Sequence, residues 1–142
     1  MPEEEQKEEV KYLLNLVRKM IKFKSLNKSS EFIKLLKKKK INTKYFTIYF
    51  SKNSKNFKTT LNKYLNISFV MKKNIGNAVI RNKIKRKLKA AVQKVYNEKQ
   101  LINLNYTYVI FGKNDVYKDK FKSILNEVNN IFGKIRKIEN LQ

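Results

Sequence analysis

The 142-residue chain has no cysteine and no histidine. Disulfides and thiol nucleophiles are therefore excluded, as are a zinc site built on those ligands and a histidine-based triad. Proline occurs once, as Pro2, and glycine three times, so turns rely on Asn, Ser and Lys. No apolar run is long enough to span a bilayer. The N-terminus is acidic where a secretory signal is basic, which makes a cytoplasmic protein the expectation. Acidic side chains are also scarce: 11 against 34 Lys and Arg, a formal charge of +23.

That charge is unevenly placed. Glu3, Glu4, Glu5, Glu8 and Glu9 crowd the first nine residues, which hold one base, Lys7. From residue 10 onward 33 bases face six acids, which points to a polyanionic partner. A basic surface kept for solubility is the plainer alternative, but the excess is larger than solubility needs. Abundant Lys, Asn, Ile, Phe and Tyr suggest an AT-rich genome, so the weight falls on how the lysines are arranged rather than on their number.

Val10, Leu13, Leu14, Val17, Met20 and Ile21 follow helical spacing. A second helix is expected from Ser29 or Ser30, with Phe32, Ile33, Leu35 and Leu36 on its apolar side. Residues 45–50 and 65–71 read as strands, with a short strand around 40–43 and a loop over 51–63. Gly76-Asn77 opens a helix to about Asn97, whose apolar stripe is Ile80, Ile84, Leu88, Ala91 and Val95. Residues 106–111 form the last strand. A final helix from about Tyr117 shows Phe121, Ile124, Leu125, Val128, Ile131, Phe132 and Ile135 on one face. The order predicts an α+β sandwich of two layers.

Chemistry concentrates in residues 72–89. Residues i, i+4 and i+8 align on a helix, so Arg81, Lys85 and Lys89 form one stripe and Asn82 and Arg86 the next. Arg grips phosphate through a planar fork, and Asn82 offers a donor and an acceptor to base or sugar edges. A merely solvated basic face is the competing reading of this pattern.

The ordered set Lys73, Ile75, Gly76, Asn77, Ala78, Val79, Arg81, Asn82, Lys85 and Arg86 resembles the signature of the bacterial ribonuclease P protein family. Ser25-Leu26 followed by Glu31-Phe32 extends the likeness, which covers about residues 23–135. The resemblance implies an αβββαβα fold with a four-stranded sheet and a left-handed βαβ crossover, a rare hand. It implies that Lys73, Arg81, Asn82, Lys85, Arg86 and Lys89 contact a catalytic RNA. It also implies a cleft for the single-stranded 5′ leader of precursor tRNA, whose aromatic floor stacks on bases. Phe32, Leu36, Phe46 and Tyr49 are the candidates for that cleft. Alternation puts Phe46 and Tyr49 on opposite faces, which favours the core for Phe46 and the cleft for Tyr49, while Phe32 fits either.

Leu36 stands where the family has a second aromatic, Lys83 and Lys89 where Arg is commoner, and Ala90 where Glu is frequent. Residues 1–22 are read as an acidic tail and an extra helix, residues 23–142 as the family domain. Residues 1–19 are either an appended helix, which their regular apolar spacing favours, or lie ahead of a true start at Met20. No catalytic or metal-ligating residue is expected: Glu98, Asp115, Asp119 and Glu127 are scattered, and Asp115 suits the start of the last helix. By resemblance the RNA subunit holds Mg²⁺ and performs the hydrolysis, while the protein neutralises charge and captures the leader. The alternatives are a ribosomal or other structured-RNA-binding protein and, more remotely, a membrane-surface protein using residues 10–21.

Overall fold

Alternating apolar residues draw out three seven-residue strands, β3 (Phe46–Lys52), β4 (Tyr64–Val70) and β5 (Tyr106–Gly112). The computed structural model describes residues 9–10, 22–26, 29–53, 64–99 and 102–140. All but Val10 of the helix expected over 10–21, and residues 54–63 of the expected 51–63 loop, lie outside them.

Two shorter strands flank the three: β1 (Lys22–Lys24), parallel to β4, and β2 (Lys39–Asn42), antiparallel to β3. The sheet order is β1-β4-β5-β3-β2. The expected four-stranded sheet is thus five-stranded, and the boundary expected after residue 22 falls inside β1. Three residues are too few for alternation to reveal a strand, and only Phe23, between Lys22 and Lys24, turns inward.

Four helices complete the described chain: α1 (Ser29–Leu36), α2 (Ala78–Lys99), α3 (Asp115–Lys118) and α4 (Phe121–Asn140). α2 joins the parallel neighbours β4 and β5. Its seam, Ile84, Leu88, Ala91, Val92 and Val95, packs with Ile124, Val128, Ile131, Phe132 and Ile135 of α4 over one face of the sheet. Phe46, Ile48, Phe50, Leu65, Ile67, Tyr108 and Ile110 complete that core. Each large side chain fully buried there contributes roughly 1.5–3 kcal/mol, enough to fix α2 without help from its outer face.

The single final helix expected from Tyr117 is two helices. Asp119 is extended between them (φ −91°, ψ 163°), and Lys87 Nζ donates to the Val116 and Asp119 carbonyls at 2.9 and 2.6 Å, satisfying groups at the break. Asp119 also anchors the corner to the sheet, accepting from Tyr45 Oη at 2.6 Å and Lys44 Nζ at 3.2 Å. The Tyr45 hydroxyl, then Lys44, holds the Asp119 carboxyl below its ordinary range.

Candidate nucleic-acid interface

The turn before α2 sets the direction of its outer face. Gly76 has φ +57°, and a Cβ there would lie 3.0–3.2 Å from the Ile80 side chain, so glycine is required. Asn77 caps the helix, its Oδ1 accepting from Ile80 N at 3.0 Å. At the same end of the sheet, a Cβ on Gly112 would strike Met71 and Ile84 at 2.6–2.9 Å, so the start of α2 lies close against β5.

With the Ile84–Leu88 seam buried, Asn82, Arg86 and Lys89 are exposed and Lys85 is half-buried at the margin. Lys73 is exposed in the turn. Lys89 Nζ lies 5.9 Å from the centre of the Phe69 ring, which in turn packs against Phe23 of β1. Among the described residues no acidic side chain pairs with Lys73, Lys85, Arg86 or Lys89. Arg81 departs from the expected outward row. Its Nη1 folds back to the Lys73 and Gly76 carbonyls at 3.0 and 3.2 Å and braces the turn. Sequence spacing places Arg81 on the right stripe but carries no sign of those two carbonyls.

The second face of the sheet is the opposite of the core. Its residues on β2 to β5, by alternation and register, include Lys40 and Asn42 of β2, Thr47, Tyr49 and Ser51 of β3, Asn66, Ser68 and Val70 of β4, and Thr107, Val109 and Phe111 of β5. α1 lies on this side: the Phe32 ring meets Phe111 edge-on at 6.2 Å, and Tyr49 meets Phe111 at 5.6 Å. Phe32, Tyr49 and Phe111 are all half-buried, a small aromatic platform with polar neighbours. Thr47 donates to Asn42 Oδ1 at 2.8 Å, and Ser68 Oγ accepts from Leu26 N at 2.9 Å. Leu36, at the end of α1, is half-buried.

Phe46 does not join them. It is 0% exposed in the main core, on the other side of β3 from Tyr49, so its place among the cleft candidates is corrected. The side-chain period of two decides this outright. Phe111 is the residue that sequence reasoning missed. Alternation along β5 separates it from Tyr108 and Ile110, but its nearness to Tyr49 needs the pairing of Thr47 with Phe111.

A family model described as Ribonuclease P matches residues 20–136. The chain belongs to the ribonuclease P protein family. It is 31% identical over 109 residues to the ribonuclease P protein component of Mesoplasma florum, covering 76% of this chain and 91% of that one. It is 29% identical over 110 residues to that of Carboxydothermus hydrogenoformans, covering 77% and 88%. In fold it is similar to the RNase P proteins of Staphylococcus aureus (TM-score 0.58, 18% identity, 78% of this chain and 94% of that chain) and Thermotoga maritima (TM-score 0.58, 19% identity, 78% and 96%). The mixed α+β architecture of the family is therefore the architecture of this chain. Among the described residues no cluster of three or more Asp or Glu stands together, and no helix is long and apolar enough to cross a membrane.

Proposed function

We propose that this chain is the protein subunit of ribonuclease P, docking on the catalytic RNA through α2 and holding the 5′ leader of precursor tRNA against the second face of the sheet. The observation that carries the reading is the outer face of α2: Asn82, Arg86 and Lys89 exposed, with Lys85 at their margin and no acid to neutralise them among the described residues. A rigid helix presenting unpaired cations is suited to folded RNA, where phosphates supply the counter-charge. Arg81, bound to the turn, positions this helix rather than leading the contact. Phe32, Tyr49 and Phe111 offer ring surface to unpaired bases without demanding a sequence. Leu36 contributes apolar surface at their edge.

In this reading the hydrolysis and its Mg²⁺ belong to the RNA subunit, and the protein acts as an accessory subunit in the cytoplasm. The test is reconstitution with the cognate RNA and a precursor tRNA carrying a labelled leader. The protein is expected to activate leader removal at low Mg²⁺. A protein that binds structured RNAs without activating cleavage would be a general RNA-binding module instead.

A further inference from the structure

An open groove of about 810 Å³ runs between α2 and the α3–α4 corner. That size falls in the range of roughly 300–1,000 Å³ typical of small-ligand sites. The groove lies on the flank of α2 away from Arg81 and Lys85, because a helix turns about 100° per residue and places Lys83, Lys87 and Ala90 on the other side.

Its construction has three parts. Lys87 is committed to the Val116 and Asp119 carbonyls, so it ties the corner to α2 and leaves its stem as wall. Tyr117, 44% exposed, and Phe121 add ring surface, and Ala90 adds no more than a methyl group. Lys83, Arg86 and Lys118 supply charge, and no acidic side chain lines the groove. The Lys83 ammonium already lies 5.9 Å from the centre of the Tyr117 ring, so a cation and an aromatic face stand together at one site.

Apolar walls between cations match one chemical object well: an unpaired nucleotide, with a flat base and a charged phosphate. We propose that this groove receives one unpaired nucleotide of the catalytic RNA, its base against Tyr117 and Phe121 and its phosphate beside Lys83 and Arg86. The inference rests on the reading of α2 as the RNA-docking helix. Arg86 belongs both to the exposed row and to the groove, so an RNA on that row already reaches the groove. The leader is the less fitting occupant, since Phe32, Tyr49 and Phe111 lie across the sheet from α2.

The test uses the full chain assembled with its cognate catalytic RNA. Lys83→Ala, which removes a cation of the groove at an exposed helical position, and Tyr117→Ala are each expected to weaken RNA-subunit binding about tenfold, while Tyr117→Phe retains the wild-type affinity. Thermal unfolding of all three is expected to match wild type. Chemical probing of the RNA with base-modifying reagents is expected to show an unpaired base protected by wild-type protein and reactive again with Lys83→Ala and Tyr117→Ala. Wild-type affinity and unchanged base reactivity for both variants, with Arg86→Ala still weakening assembly, would overturn the groove alone. Loss of precursor-tRNA binding without loss of RNA-subunit binding would overturn it in favour of the substrate. Failure of the wild-type chain to bind the RNA subunit would overturn the underlying reading of α2 as well.

Discussion

Phe46, Ile48 and Phe50 of β3 point into a sealed core, while Thr47, Tyr49 and Ser51 of the same strand stay half-buried on the other side. The contrast runs across the sheet. Leu65, Ile67, Phe69, Tyr108 and Ile110 meet two long helices, whereas the opposite face is partly covered by the eight-residue α1. On that second side Leu35 and Val109 are buried but stand outside the main core. One face thus supplies stability, and the other leaves ring surface and polar groups partly accessible.

Substitution on either side separates these jobs. Phe46→Ala leaves a cavity in the sealed face and is expected to cost about 3–5 kcal/mol in urea unfolding. Tyr49→Ala, which loses an edge-on partner in Phe111, is expected to cost only about 1 kcal/mol. Equal costs would mean that the second face is core as well.

The outer face of α2 sharpens the contrast from the side of charge. If Lys85, Arg86 and Lys89 together with Lys73 of the preceding turn reach phosphates, RNA-subunit affinity is expected to fall about a hundredfold between 50 and 200 mM salt. Leader capture by stacking is expected to respond less to salt and more to ring removal. Tyr49→Ala and Phe111→Ala are each expected to reduce affinity for leader-bearing precursor about tenfold, with mature tRNA unaffected.

The smallest effect concerns a polar intrusion at the base of the core. The Tyr108 hydroxyl, on a fully buried side chain, donates to Glu139 Oε1 at 3.0 Å. Burial, chiefly, raises the Glu139 pKa above its ordinary value, against the hydrogen bonds from Tyr108 and Asn103. A raised carboxyl pKa favours the folded state while the group is protonated, and that contribution is lost as pH rises through the folded value. Glu139→Gln is therefore expected to raise Tm slightly at neutral pH and to match wild type in acid, where both side chains are neutral. A lower Tm at neutral pH would show that the carboxylate charge is itself stabilising.

The same contrast explains what was legible in the sequence. The core face follows from periodicity: the α2 stripe, the β3 and β4 alternation and the Asn77 cap all lie within local windows. Features that depend on remote partners do not. The break after Lys118 is held by Lys87, about thirty residues upstream, and local spacing there still reads as one helix. Arg81 shares the periodicity of Lys85 and Lys89, yet two carbonyls of the preceding turn claim it. Phe111 joins the second face only once β3 and β5 are in register. The motif on α2 was legible because its spacing is that of a single helix; the aromatic platform was half legible because three elements assemble it.

The most direct test of two separable RNA surfaces is a paired titration of wild type, Arg86→Ala and Tyr49→Ala. Each protein is titrated with the catalytic RNA, and each reconstituted holoenzyme with precursor and mature tRNA. Arg86→Ala is expected to weaken RNA-subunit assembly most, and Tyr49→Ala to erase the preference for precursor over mature tRNA while assembly stays near wild type. The reverse ordering, with Tyr49→Ala disrupting assembly and Arg86→Ala affecting only leader preference, would contradict the account.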